Sequence, residues 1–324
     1  MSDRAGVSIG TVSNVLNAPH LVADPTRARV LTAINELDYR PSRAARSLQA
    51  RRTYLIGYRL PAAGQNTALD VFLHSLVTAA AGHGLEIALF SPRVGESELE
   101  SYRRLIRSGD VDGLVLSETN YQDPRVRMLA EAGFPYVTFG RTLEGQPSSW
   151  VDVDGAAGMR QVVDHLTAQG HEKITMVAWP QGSESGDDRV RGFSSSLRSG
   201  TDSTVIRIAG GFSNGLALGR ELLDQAHRPT AIAAVEDGLA LGLMAAAAEM
   251  GMKVGVDVAL AGFDDSAAAS LVSPGLTSVR QPMDQVAKSL VDALVSLLAG
   301  DSARHTTLLT PDLVIRGSTG GPNL

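Results

Sequence analysis

Apolar positions in the N-terminal stretch recur at helical spacing. In GVSIGTVSNVLN, Val12, Val15 and Leu16 form one stripe, and Ser8 is a natural N-cap. Ile9, Gly10, Thr11 and Asn14 take the early or outward positions of that helix. The preceding Ala5-Gly6-Val7 has the composition of the tight turn in a helix-turn-helix, where glycine relieves backbone crowding. Asp24-Pro25-Thr26 then opens a further helix, with Asp24 as cap, Pro25 at the first position, and Val30, Leu31, Ile34 and Leu37 on the buried face. Pro41 stops that helix. Ser42 can cap a short segment carrying Arg43, Arg46, Arg51 and Arg52, with Leu48 as its one large apolar residue.

From Tyr54 onward the period changes. Short β-rich runs (YLIGYRL, LEIALF, DGLVLS, PYVTF, KITMVA, VIRI, AIAAV, DVALAGF) alternate with amphipathic segments at 68–82, 97–107, 156–169, 213–225, 238–250 and 283–299. This βα rhythm predicts parallel sheets with helices on both faces. So many strands would overfill one sheet, and the series divides near residue 155 into two. Ligands of such folds bind at the C-terminal ends of the strands, here in a cleft between two lobes.

Charge sharpens the division. The chain carries a formal −6, yet residues 1–52 hold eight arginines against four acids, a net +4 that leaves −10 on the remainder. A small basic module on a larger acidic body is the footprint of a DNA-reading head. A helix entering a major groove N-terminus first presents short polar groups such as these to bases and phosphates. A generic three-helix packing unit is the alternative. The arginine segment around Leu48 is too short to be helical alone, but two paired copies in a minor groove would satisfy its charges and its apolar side chain. With no cysteine, disulfides, thiolate zinc sites and cysteine nucleophiles are excluded, and the seven histidines lack metal-ligand spacing. No signal-peptide stretch or run of eighteen apolar residues occurs, so a cytoplasmic location and no membrane partner are expected.

No catalytic constellation emerges. There is no G-x-G-x-x-G after the first strand and no phosphate-binding G-x-x-x-x-G-K-[ST]; GSESG carries Glu184 where a nucleophile elbow needs serine. The pairs Asp187/Asp188 and Asp264/Asp265 read equally well as caps or hydrogen-bond acceptors. What strand ends do offer is a set suited to a polyhydroxylated ligand: Arg141, Trp150, Trp179, Arg189, Glu236, Asp237 and Asp264. Carboxylates and a guanidinium can take paired hydroxyls while indoles cover the C–H face. The tryptophans also fit as core, and Arg141 as a salt bridge across a lobe.

AGVSIGTVSNVLN, TRARVLTAINELDYRPSRAARSLQARRT, VDVDGAAGMRQVVDHLTAQGHEKI, RVRGF, PTAIAAVEDGLALG and VGVDVALAGFDDSAAASLVSPGLTSVRQP appear in that order. Together they make the chain resemble, over essentially its whole length, the lactose-repressor/galactose-repressor family of bacterial transcriptional regulators. The resemblance implies a helix-turn-helix head at 1–41, a hinge helix and linker at 42–53, and a two-lobed periplasmic-binding-protein-like α/β body at 54–324. Lobe one would be about 54–154 plus 281–300, and lobe two about 155–280 plus 301–324.

The resemblance further implies a homodimeric repressor of carbohydrate-utilisation genes, released from double-stranded operator DNA by a small neutral sugar or disaccharide, with no cofactor. Ile9, Gly10 and Asn14 fall on major-groove positions, Ser8 and Thr11 near phosphates, and Leu48 on the minor-groove wedge, with Arg43 and Arg46 beside it. Arg189 falls on the effector-clamping arginine and Asp264 on the ligand carboxylate. Asp237 follows the family's usual asparagine, here Glu236, an exchange that disfavours an anionic effector. Leu69, Phe72 and Leu76 fall on a dimer-contacting helix, although Phe72 also suits the cleft. The family's first helix, I-x-D-V-A-x-x-A, precedes A-G-V-S, whereas only Met1–Arg4 stand before Ala5 here. The expectation is therefore a truncated first helix, with either a displaced start or a head that is loose off DNA. A sugar-binding protein without effective DNA binding, and a sugar-active enzyme, are the rival readings.

Overall fold

The computed structural model describes residues 1–37, 52–61, 69–142 and 148–320, and resolves into two compact units, Met1–Thr53 and Tyr54–Leu324. Arg43, Arg46 and Leu48 lie outside the described residues.

The first unit is all-helical. One turn, α1 (Ser2–Ala5), ends at Gly6, whose φ of 61° places it in the left-handed region that glycine enters freely. Ser8 then caps α2 (Ile9–Asn17), its hydroxyl accepting from the Thr11 N–H at 3.1 Å. After a 3₁₀ turn at Pro19–Leu21 comes α3 (Asp24–Glu36). Ala5, Val12, Val15, Val30 and Ala33 form the core, with Met1, Val7, Val22 and Ile34 packed around it. An ion pair between Arg4 and Glu36 at 2.7 Å ties α1 to α3.

Two expectations shift here. Asp24 is the first helical residue rather than the cap, and it pairs with Arg27 at 2.5 Å. Leu31 and Leu37 are exposed while Ala33 is buried. The i, i+3, i+4 set from Val30 turns Ala33 and Ile34 inward and rotates Leu31 about 100° away.

The second unit holds two six-stranded sheets. The first contains β1 (Leu55–Arg59), β2 (Glu86–Phe90), β3 (Gly113–Leu116), β4 (Tyr136–Phe139), β5 (Ser149–Val153) and β11 (Thr306–Leu309), in the order β11-β5-β4-β3-β1-β2 and wholly parallel. The second contains β6 (Lys173–Ala178), β7 (Asp202–Arg207), β8 (Ala231–Ala234), β9 (Ala259–Asp264), β10 (Thr277–Arg280) and β12 (Asp312–Val314), in the order β12-β10-β9-β8-β6-β7, with only β12 antiparallel. On the first sheet, α4 (Leu69–Gly82) and α12 (Met283–Leu298) pack together against one face. The opposite face is covered by α5 (Glu98–Ser108) and α6 (Pro124–Glu131). The second sheet carries two helix pairs, α7 (Gly155–Ala168) with α8 (Glu184–Ser196) and α9 (Phe212–Leu223) with α10 (Asp237–Glu249), plus the short α11 (Ala267–Leu271). Contact between α9 and α10 is backbone to backbone: a Cβ on Gly242 would lie 2.2 Å from the Phe212 carbonyl oxygen. Only glycine permits that approach.

The chain passes between the sheets three times. The last crossing lies between β11 and β12, so residues 306–309 belong to lobe one, where β11 extends the sheet beside β5. This corrects the expected assignment of all of 301–324 to lobe two. TTLL has too short a pattern to name its sheet; the edge of β5 supplies its hydrogen-bond partners. The polar, glycine-containing segment 184–196 is helical although it shows no large apolar stripe, because Phe193, Val190 and the buried Gly186 and Gly192 seat it on α7 and the sheet. Among the described residues, no helix is long and apolar enough to cross a membrane.

Candidate functional site

The C-terminal ends of both parallel sheets face a cleft of about 650 Å³. Lobe one contributes Tyr58, Phe72, the loop Ser117–Asn120 after β3, Phe139 and Asp152. Lobe two contributes Trp179, Ser183, Ser185, Arg189, Asn214, Glu236 and Asp264. Phe72 stacks on Phe139 at 5.2 Å between ring centroids, giving lobe one an apolar floor. Leu76 is fully buried in the core behind it. Phe72 therefore lines the cleft, and Leu76 is interior, which corrects the placement of Leu76 at a dimer surface. Helical spacing turns Val71 and Val77 outward instead. The Leu69 side chain lies outside the described residues.

Arg189 projects from α8 into the centre of the site and is buried. Its Nη1 donates to the Val235 carbonyl at 2.6 Å and stands 3.9 Å from Asp264 Oδ1. The guanidinium carbon lies 3.6 Å from the Phe263 ring centroid and 5.1 Å from that of Trp179. Burial pushes the guanidinium below its ordinary pKa, and Asp264 leads the carboxylates that oppose this. Its Nε is buried without a partner among the described residues, so the fork retains donor capacity for a ligand.

Asp264 closes β9 with φ at 114°, followed by Asp265 at 48°, a left-handed pair unusual for non-glycine residues. The turn is held from beneath. Asp237 accepts from the Ser266 N–H at 2.7 Å and from the Ser278 hydroxyl at 2.5 Å, while Ser278 Oγ accepts from the Asp265 N–H at 2.9 Å. Arg280 and Arg316 each meet Asp265 at 2.6 Å. Gln281 donates to Asp264 Oδ1 at 2.7 Å. Asp237 is fully buried, does not line the cleft, and acts as a brace; its carboxyl is raised well above the aspartate range by burial and then by Asp264. Glu236, one residue earlier, does line the cleft and accepts from the Gly211 N–H at 2.5 Å. Burial raises its carboxyl too.

Arg141 and Trp150 also lie outside the lining. Arg141 donates to Asp152 at 2.8 Å in lobe one and to Asp188 at 2.8 Å in lobe two, so it is the cross-lobe ion pair rather than a ligand group. Trp150 lies beside it, with the guanidinium carbon 5.9 Å from its ring. Nearby, Tyr121 reaches Glu184 at 2.9 Å and donates its N–H to Gly182 at 2.8 Å, a second link between the lobes. Sequence reasoning missed Tyr58, Ser117–Asn120, Phe139, Asp152 and Gln281. The available signal was positional, since each ends or closely follows a strand except Tyr58 and Asp152, which sit one residue before the ends of β1 and β5. In the first unit, Ile9, Gly10 and Asn14 are exposed on α2, with Ser8 and Thr11 in mutual contact at 2.9 Å.

Parallel sheets facing a polar cleft, together with a small helical unit whose capped helix exposes short side chains, define a ligand-responsive regulator with a separate DNA-reading head. A family model described as bacterial regulatory proteins, lacI family, matches residues 2–42, and one described as a periplasmic binding protein-like domain matches residues 163–319. The chain is 34% identical to the HTH-type transcriptional regulator CelR of Thermobifida fusca, over 97% of this chain and 95% of that protein. A solved CelR–cellobiose complex matches with a TM-score of 0.73 and 30% identity, over 98% of each chain. The lac repressor dimer bound to operator and the anti-inducer ONPF matches with a TM-score of 0.82 and 27% identity, over 98% of this chain and 97% of that one. The chain belongs to the lacI family of bacterial regulatory proteins and is a DNA-binding transcriptional regulator.

Proposed function

We propose that the chain works as a homodimeric repressor of carbohydrate-utilisation genes, released from its operator when a neutral sugar occupies the cleft. In this reading Ile9, Gly10 and Asn14 meet base edges in the major groove while Ser8 and Thr11 meet phosphates. Arg43 and Arg46 accompany Leu48 into the minor groove. Arg189 and Asp264 hold paired hydroxyls, and Trp179, Phe72 and Phe139 cover the sugar's apolar faces. The observation that carries the reading is the Arg189 fork, buried against Trp179 and Phe263 with Asp264 3.9 Å away and one N–H still unspent. A cleft of about 650 Å³ suits a disaccharide, within the range of about 300–1,000 Å³ usual for small-ligand sites. The carboxylates Glu236 and Asp264 at its wall disfavour anionic sugars. Because the related CelR was solved as a complex with cellobiose, that β-linked glucose disaccharide is the first ligand to test.

The mechanism is linkage. A sugar binding better to the lobe arrangement that disfavours the paired hinge lowers operator affinity by its own affinity ratio, about 5- to 150-fold for typical couplings. Fluorescence anisotropy with labelled operator DNA, titrated with cellobiose and a panel of sugars, tests this. Release by at least one sugar is expected, and Arg189→Met should bind operator normally without responding. Tighter operator binding on adding sugar would overturn induction. A panel without effect, beside a purine that raises the melting temperature, would overturn the sugar reading.

A further inference from the structure

We infer that Glu236 acts through Trp179: its carboxylate clamps the indole N–H and the Gly211 N–H, fixing the aromatic wall against which a ligand ring packs. This rests on the sugar-binding reading above and assigns Glu236 a positioning role in place of direct ligand contact.

Three strand ends converge to build the clamp. Trp179 follows β6, Gly210 and Gly211 follow β7, and Glu236 follows β8. Glu236 accepts from the Gly211 N–H at 2.5 Å, and its carboxylate and the Trp179 indole nitrogen flank the same point above Gly210. The indole's one polar hydrogen is its ring N–H, so that is the group a neighbouring carboxylate can hold. A Cβ on Gly210 would come 2.8 Å from Glu236 Oε1 and 3.0 Å from Trp179 Nε1, so any larger residue at 210 would wedge into the clamp. The chain also passes close beside the ring at Gly186. A Cβ on Gly186 would stand 3.2 Å from Trp179 Cε3, and the Arg189 guanidinium carbon lies 5.1 Å from the ring centroid.

With the Glu236 carboxylate beside its nitrogen and Arg189 over the ring, the indole is flanked on two sides where it lines the cleft. Indole C–H and π surface against pyranose C–H groups is a geometry-dependent contact, so a fixed ring binds with less ordering cost than a mobile one. Chain length matters at position 236. The asparagine expected there from the family resemblance is one methylene shorter, about 1.5 Å of reach, and would fall short of the indole.

The test uses the full-length chain with Trp150→Phe, which leaves Trp179 as the sole tryptophan. Trp150 does not line the cleft, so this background reports Trp179 alone. Without any ligand, Glu236→Ala should shift Trp179 emission to the red and lower its time-resolved anisotropy. Glu236→Gln, which keeps an acceptor at the same reach, should leave both unchanged. With cellobiose as probe, Glu236→Ala should weaken binding about 10- to 100-fold and Glu236→Gln less than about threefold. In a Trp179→Phe background, which has no ring N–H to clamp, Glu236→Ala should cost less than about threefold more. Unchanged Trp179 emission and anisotropy in Glu236→Ala would overturn the inference, as would full additivity of the two substitutions, which would make Glu236 a ligand contact. Absence of any sugar binding by the parent would sink the sugar reading instead, leaving the emission comparison to decide the clamp. Should Glu236→Ala fail to fold, Glu236→Asn carries the same expectation.

Discussion

Arg141 bridges the lobes with one side chain, so replacing it by methionine isolates what that bridge contributes. The stem length and packing beside Trp150 are retained while the charge is lost. Two carboxylates lose a partner, unequally. Asp188 keeps Arg191 at 2.9 Å and the Ala156 N–H at 3.3 Å. Among the described residues, the buried Asp152 keeps only the Val153 N–H at 2.8 Å and the N–H of residue 141 at 3.2 Å. The cost is therefore mainly that of an unpaired buried Asp152. Breaking a buried pair costs about 3–5 kcal/mol, and partial exposure of the Arg141 side chain brings the expectation to about 2–3 kcal/mol. For a unit of this size that is about 4–6 °C in melting temperature. Scanning calorimetry at neutral pH measures it, and Asp152→Asn on top of Arg141→Met should recover at least half. The deficit also has a pH signature. Burial already raises the Asp152 carboxyl while Arg141 opposes this, so losing Arg141 raises it further. Stability lost through a raised carboxyl pKa is present below the unfolded value, about 4, and disappears as pH rises, so the deficit should shrink on acidification. A variant melting within about 1 °C of the parent, or no recovery from Asp152→Asn, would refute this account of the bridge.

Two other consequences follow from the packing. Asp237, whose carboxyl is raised by burial and then by Asp264, makes wild-type stability fall as pH climbs from about 4 toward neutral. Asp237→Asn should flatten that slope in pH-dependent melts, and a parallel slope in both proteins would count against the brace. Gly242→Ala places a methyl 2.2 Å from the Phe212 carbonyl oxygen and must part α9 from α10. A loss of about 3 kcal/mol or more in urea unfolding is expected, beyond the ordinary overpacking range of about 1–3 kcal/mol, and a neutral outcome would mean the helices yield freely.

Much of this molecule is legible before folding because its period-setting residues are local. Ser8 as cap, Gly6 as the left-handed turn, and the change from helical stripes to βα alternation at Tyr54 depend on neighbours within a few positions. The order of strands, with the general rule that ligands sit at their C-terminal ends, is enough to gather Trp179, Arg189, Glu236 and Asp264 at one cleft, where they stand in space. By sequence Phe72 suits either a surface or the cleft, and its ring stacking on Phe139 decides for the cleft.

The remainder depends on partners far along the chain. Asp237 and Asp264 belong to the same kind of strand-end sequence. Only Ser266 and Ser278, brought together across β9 and β10, make one a brace and leave the other at the cleft wall. Arg141 reads equally as ligand group or ion pair until Asp152 and Asp188 meet it from opposite lobes. The strand at Thr306–Leu309 has no preference for either sheet until the free edge of β5 supplies its hydrogen bonds. Local sequence thus determined which elements form and which side chains reach strand ends, because those follow from backbone geometry within a turn or a pleat. Which of those side chains face the ligand, and which spend their charge holding the cleft in shape, was decided only by long-range packing, since burial and pairing belong to neighbours that the chain brings together on folding.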